Sequence, residues 1–232
     1  MKSYLRTAIA LATISTLSGF ADTTPKLTGF PFQDETLRFN VNWPTGVSLG
    51  QASLEARRIE DDRWELQFTL DASIPGYTIK DRYKSVATRD LCSVEFERES
   101  THGAKKSRET VKFQPDRNTA HRVTTGGGSS DYRIPDCAKD ALTFLYFTRV
   151  EMGQGRVPLP TSVVFGGPYE IQLEYKGEES LKNVVTDRLA SSARGPASNV
   201  SFDVLFARDA ARRPLLVRTP FSLGTFSLEL IR

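Results

Sequence analysis

The chain has 232 residues, 31 of them basic and 28 acidic, with a formal net charge of +3 and 39% hydrophobic residues. So balanced a charge excludes long-range attraction to nucleic acid or to an anionic membrane as the basis of function. The length suits one β-rich domain of the larger kind.

The first segment has the form of an export signal. Met1-Lys2 and Arg6 supply a basic start, residues 8–17 a short apolar core, and Gly19 and Ala21 the small residues that a signal peptidase reads. Cleavage is expected after Ala21. The apolar run falls short of the ~20 residues needed to span a bilayer, and no Cys follows the cut to carry a lipid anchor. Losing Lys2 and Arg6 takes the 31 basic residues down by two, to 29 against 28 acidic ones, a net charge of +1. The expected mature protein, residues 22–232, is a single β-rich domain, periplasmic or secreted, with no transmembrane segment.

Leu37, Phe39, Val41 and Trp43 alternate with Arg38, Asn40 and Asn42, the pattern of a strand with one buried face. A second strand is expected over residues 47–56, with a kink at Gly50, and a third over 64–70. Three such strands joined by polar turns make an antiparallel meander. Residues 77–83 and 85–88 resume less regularly. Residues 94–98 and 109–113 then flank the basic stretch 102–108. That stretch reads as a solvated hairpin tip, because Glu97, Glu99 and Glu109 stand nearby and no aromatics interleave. Residues 121–124 form another short strand. Residues 126–130 are a glycine-rich loop, lacking the Gly-Lys-Ser/Thr ending of a nucleotide loop.

The most distinctive segment is a helix expected over residues 139–150. Asp140 is placed to cap it. Leu142, Phe144, Leu145, Tyr146 and Phe147 cover most of its circumference, so sheet must enclose it. Gly153 and Gly155 end it. Arg149 follows the apolar run, where a cation favours the helix dipole. It reads first as a capping, snorkelling side chain, and otherwise as a pocket Arg for an anionic head group. Beyond the helix, strands are expected over 162–165 and 169–175, with a less regular one around 184–186 after a turn at Gly177-Glu-Glu179. Residues 190–199 read as a loop. Strands over 200–206, 215–219 and 225–231 finish the chain, with Asp209, Arg212 and Pro214 in a polar turn.

Cys92 and Cys137 are expected to form a disulfide, as a cysteine pair does in an exported protein. The closed loop would restrict the unfolded chain by roughly 4 kcal/mol, and the bond would tie the helix entrance to the end of an earlier strand. Neither His102 nor His121 sits in a cluster with metal-ligand spacing, and no Gly-x-Ser-x-Gly elbow is present. No catalytic, cofactor-binding or metal-ligating residue is assigned, and an enzyme is the less favoured class.

Residues 34–43 (Asp-Glu-Thr-Leu-Arg-Phe-Asn-Val-Asn-Trp), 50–54, 140–149 and 209–214, with the ending 224–230, resemble the exported bacterial proteins of domain-of-unknown-function family 3108. Asp34-Glu35 departs from the Gly-Glu pair usual at the family's start. The resemblance implies a β-rich envelope protein and carries over no catalytic residue.

The fold expected is mainly β: a curved antiparallel sheet of roughly ten or more strands, half-barrel, clam-like or closed, around one buried helix. Two functions compete. One is a non-catalytic binding protein for an apolar or lipid-like ligand, with Phe144, Tyr146, Phe147 and Arg149 as candidate pocket residues. The other is a structural or interaction module of the cell envelope, meeting another envelope protein, its concavity filled by its own side chains. A hydrolase of unrecognised type is a third alternative.

Overall fold

Period-two patterning runs through most of the chain, and it builds one curved sheet. The computed structural model describes residues 33–231, apart from 61, 62, 75, 197, 222 and 223. The expected signal peptide and cleavage position lie outside the described residues. The elements in chain order are β1 (Glu35–Asn42), β2 (Ser48–Glu60), β3 (Arg63–Ile74), β4 (Tyr77–Thr88), β5 (Ser93–His102), β6 (Lys105–Gln114), β7 (Thr119–Thr124), β8 (Ser129–Arg133) and β9 (Lys139–Asp140). The helix α1 (Ala141–Gly153) follows. After it come β10 (Thr161–Val164), β11 (Pro168–Leu181), β12 (Val184–Arg194), β13 (Asn199–Ala207), β14 (Pro214–Phe221) and β15 (Gly224–Leu230).

Across the sheet the order is β8-β7-β6-β5-β4-β3-β2-β1-β15-β14-β13-β12-β11-β10-β9. The fold is thus two runs of consecutive hairpins joined where β1 pairs with β15. Pairing is antiparallel except between β9 and β10, which run parallel. Alternation then decides what each face holds. Leu37, Phe39 and Val41 of β1 stand opposite Leu54, Ala52 and Gly50 of β2, and Leu54 and Ala56 stand opposite Phe68 and Leu66 of β3. This inner face packs against α1.

The sheet does not close into a barrel. Its β9 edge instead meets the beginning of β5, leaving β6 to β8 on the far side of the junction. The Ser93 N–H donates to the Ala138 carbonyl at 2.9 Å, and the Cys92–Cys137 disulfide joins the same two segments, with Cα atoms 4.8 Å apart. The expected bond is present and serves as a seam.

The kink expected at Gly50 is a β-bulge. The register between β1 and β2 shifts after Val41, and Gly50 takes φ +157°, with the Asp71 carbonyl oxygen only 2.0 Å from where a Cβ would lie. Only glycine lets β3 approach so closely.

Several local expectations are corrected. The helix begins at Ala141 and continues to Gly153, because Lys139 and Asp140 are held in β9 by β10. Residues 190–194 are strand rather than loop: Ser191 and Ala193 are buried on the inner face of β12, where their small side chains fit. Glu178 and Glu179 lie within β11, and the turn falls at Lys182 and Asn183, whose φ angles of 47° and 67° suit a tight hairpin. Ser129–Arg133 is a strand that its flanking glycines concealed.

Candidate ligand-binding site

The helix is placed by its first residue. Asp140 is wholly buried and caps α1 by accepting from the amides of Leu142 (2.8 Å) and Thr143 (3.1 Å) on Oδ1. Its Oδ2 accepts from the hydroxyls of Ser85 (2.6 Å), Ser93 (2.6 Å) and Thr143 (2.9 Å). The Asp140 amide in turn donates to Ser93 Oγ at 2.7 Å. One carboxylate therefore joins α1 to β4 and β5. The constellation contains hydroxyls and a carboxylate but no imidazole, and every donor it offers is used for positioning.

Lys139, beside it, is also buried. Its Nζ donates at 3.3 Å to the Cys137 carbonyl and at 3.4 Å toward Cys137 Sγ, and lies 4.3 Å from the centroid of the Phe147 ring. Burial lowers its pKa from 10.5 to about 8, against the opposing pull of Asp140 and Glu151.

The four side chains named as candidate pocket residues have different fates. Phe144 is buried with Val163, Ile171 and Ala193. Tyr146 is wholly buried in the main core, and burial together with the Glu35 charge raises its hydroxyl's pKa above the ordinary value. Arg149 does not snorkel. It is wholly buried two-thirds of the way along the helix, forms an ion pair with Glu35 through both carboxylate oxygens, and donates from Nε to the Ala211 carbonyl at 3.1 Å. Phe147 remains half-buried and touches two separate apolar clusters.

That separation is the main feature of the interior. Among the described residues the buried apolar side chains fall into three clusters. One lies chiefly along β1 to β6 with α1, one where Phe144 meets β10 to β12, and one where Met152 meets β12 and β13. Leu145, Phe147 and Leu173 each touch two of them and are themselves half-buried. Around these bridges, inner-face side chains on both arms of the sheet keep accessible apolar surface. They are Phe68, Leu70 and Tyr83 on one arm, and Phe202 and Val217 on the other. Sequence reading took Leu145 as core and missed Leu173 and Phe202. Alternation puts them on the inner face but cannot say how completely α1 covers it.

At one end of this surface the rings are closely associated. Tyr83 lies 5.5 Å from Phe68, 6.2 Å from Phe96 and 5.4 Å from Phe165, centroid to centroid. A shallow open basin of about 270 Å³ is lined by Ser201, Phe202, Asp203, Arg218, Pro220 and Thr225. Its charges are already matched, Asp203 with Arg188 and Arg218 with Glu179. Among the described residues no group of three or more His, Cys, Asp or Glu is placed to hold a metal ion, and no helix is long and apolar enough to cross a membrane.

The family model described as "Protein of unknown function (DUF3108)" matches residues 38–231. No curated protein matches the sequence. Among solved structures, a β-barrel-like protein of domain of unknown function DUF1849 from Brucella abortus superposes with a TM-score of 0.61 at 6% identity, covering 86% of this chain and 96% of that one. At that identity the likeness concerns the fold alone. The lipoprotein LppX of Mycobacterium tuberculosis aligns over 84% of both chains at 12% identity with a TM-score of 0.28, too low to carry an argument.

Proposed function

We propose that this chain, which belongs to the DUF3108 family of proteins of unknown function, is an exported, non-catalytic binding protein that shelters an apolar, lipid-like ligand against the inner face of its curved sheet. The supporting observation is the divided interior. Large apolar side chains that would merge into one core in a self-filled fold stay half-buried around Leu145, Phe147 and Leu173. Accessible apolar surface gathered on a concave face marks a ligand site more often than a packing fault. The exposed Cys137 and its bond to Cys92 agree with export, since such bonds persist in oxidising compartments.

The test uses the neutral fluorophore N-phenyl-1-naphthylamine, titrated with the purified mature protein. A saturable rise in emission that long-chain lipids reverse is the expected outcome. No rise, together with a protein partner recovered from the envelope, would replace this reading with the self-filled interaction module. Export after Ala21 is checked by N-terminal sequencing, with Asp22 expected first. Limited proteolysis that leaves one resistant fragment would support a single β-rich domain over residues 22–232.

A further inference from the structure

We propose that Arg98 anchors the head group of an acyl-chain ligand that ends in a carboxylate. This assignment rests on the reading that the inner face receives an apolar chain, and it names the polar end of that ligand. Arg98 projects from the inner face of β5, opposite Tyr83 of β4 and Glu109 of β6. Its guanidinium carbon lies 4.7 Å from the centroid of Phe165. It therefore stands at the rim of the cluster formed by Phe68, Tyr83, Phe96 and Phe165, of which all but Phe96 are half-buried.

One carboxylate, that of Glu109, 3% exposed, is shared by two guanidiniums. Arg122 holds its Oε2 through Nε and Nη2, both at 2.7 Å. Arg98 Nε lies 3.3 Å from Oε1, and neither atom makes a hydrogen bond there. Among the described residues the two terminal nitrogens of Arg98 form no hydrogen bond, while its side chain is only 23% exposed. A guanidinium carries five donors in a planar fork, and leaving a partly desolvated fork unmatched is costly. The other acid nearby does not serve it: Asp81 is engaged by His102 Nε2 at 3.0 and 3.3 Å.

Gly166 adopts φ +70°, and a Cβ added there would stand 3.5 Å from both terminal nitrogens, so at this position the fork faces backbone and no side chain. A carboxylate matches that fork with two parallel hydrogen bonds. The rings alongside would receive the first carbons of the chain.

The experiment displaces N-phenyl-1-naphthylamine from the mature protein with oleate and, separately, with methyl oleate, which keeps the chain and loses the charge. Oleate should displace at a concentration at least tenfold lower. In Arg98→Gln that ratio should fall to near one, and in Arg98→Lys, which keeps a cation without the fork, it should be intermediate. Because each ratio is internal to one protein, a general loosening of the fold does not mimic the result. Equal potency of acid and ester on the wild type, or a ratio unchanged in both variants, would overturn the assignment while leaving the apolar site standing. Acetate competing with oleate as well as methyl oleate does would also overturn it, by making the site one for free anions. Failure of the fluorophore to bind at all would instead remove the apolar-site reading, and the head-group assignment with it.

Discussion

Glu35 at the start of β1 and Arg149 on the third turn of α1 are 114 residues apart in the chain and meet as an ion pair through both carboxylate oxygens. Arg149 is wholly buried and the Glu35 side chain is 16% exposed. The Tyr146 ring lies 4.8 Å from the guanidinium carbon, and the Ala211 carbonyl accepts from Nε. The pair therefore ties α1 to β1 and to the β13–β14 connection at once. Its weight comes from how costly it is to break, because an isolated charge at such a place has no water to turn to.

Glu35→Ala should therefore destabilise by ~3–5 kcal/mol, since it removes the carboxylate paired with the buried Arg149. Replacing both partners, Glu35→Leu with Arg149→Met, should recover most of that loss. Urea midpoints of the three proteins decide it. Equal destabilisation in the single and double variants would show that the loss lies in packing rather than in a stranded charge.

Asp140→Ala removes more than a helix cap. A cap alone contributes ~0.5–2 kcal/mol, but here the hydroxyls of Ser85, Ser93 and Thr143 also lose their shared acceptor. Each buried group left unpaired adds ~1–3 kcal/mol. The expected loss therefore exceeds the ordinary cap range, whereas Asp140→Asn, which keeps a carbonyl for the Leu142 and Thr143 amides, should lose less. Chemical unfolding of both variants is the check. A loss for alanine within the usual cap range would mean that water replaces the carboxylate at the junction.

How much of this was legible in the sequence depends on the range of the interaction. Strict alternation at Leu37 to Val41 and at Trp64 to Leu70 reports burial on one side directly, so the meander was readable, as were the cap at Asp140 and the pairing of Cys92 with Cys137. Residues 190–194 were not. Ser191 and Ala193 are small because their side of β12 is crowded, and composition alone takes small residues for a loop. Arg149 was misplaced for a different reason: its partner comes from the opposite end of the chain, and no local pattern announces a pair of that separation. Arg98 stood only as the last residue of the expected strand 94–98, with no role read for it. Only the fold brings Glu109, Phe165 and Gly166 around it.

Within α1, stability and binding should separate by position. Phe144 is buried, so Phe144→Ala should cost ~3–5 kcal/mol. Leu145 and Phe147 are half-buried, and Leu145→Ala should fall at or below the bottom of the ~2–5 kcal/mol range for buried leucine truncations. The opposite order is expected for the fluorophore, with Phe147→Ala weakening its binding more, relative to stability lost, than Phe144→Ala does. Paired unfolding and titration of the variants test this. Parallel losses in both measurements would mean that Phe147 serves the core alone.

Lys139 gives the fold a dependence on pH whose sign can be worked out. The residue is 5% exposed, and burial lowers its pKa from 10.5 to about 8. Between those two values the unfolded chain binds the proton more readily than the folded one. The contribution of this group to stability therefore rises with pH across that window, and below it the full penalty of burying the charge applies. A shift of that size corresponds to roughly 3 kcal/mol at 1.36 kcal/mol per unit. Lys139→Met, which fills similar volume without the charge, should be more stable than the wild type at pH 7 by up to that amount, and the difference should shrink as the pH approaches 10. Urea midpoints of both proteins at pH 7 and pH 10, at one ionic strength and with the disulfide intact, provide the measurement. A difference that stays constant across the two pH values, or a variant less stable than the wild type at pH 7, would show that the Cys137 carbonyl and the Phe147 ring already compensate the buried charge.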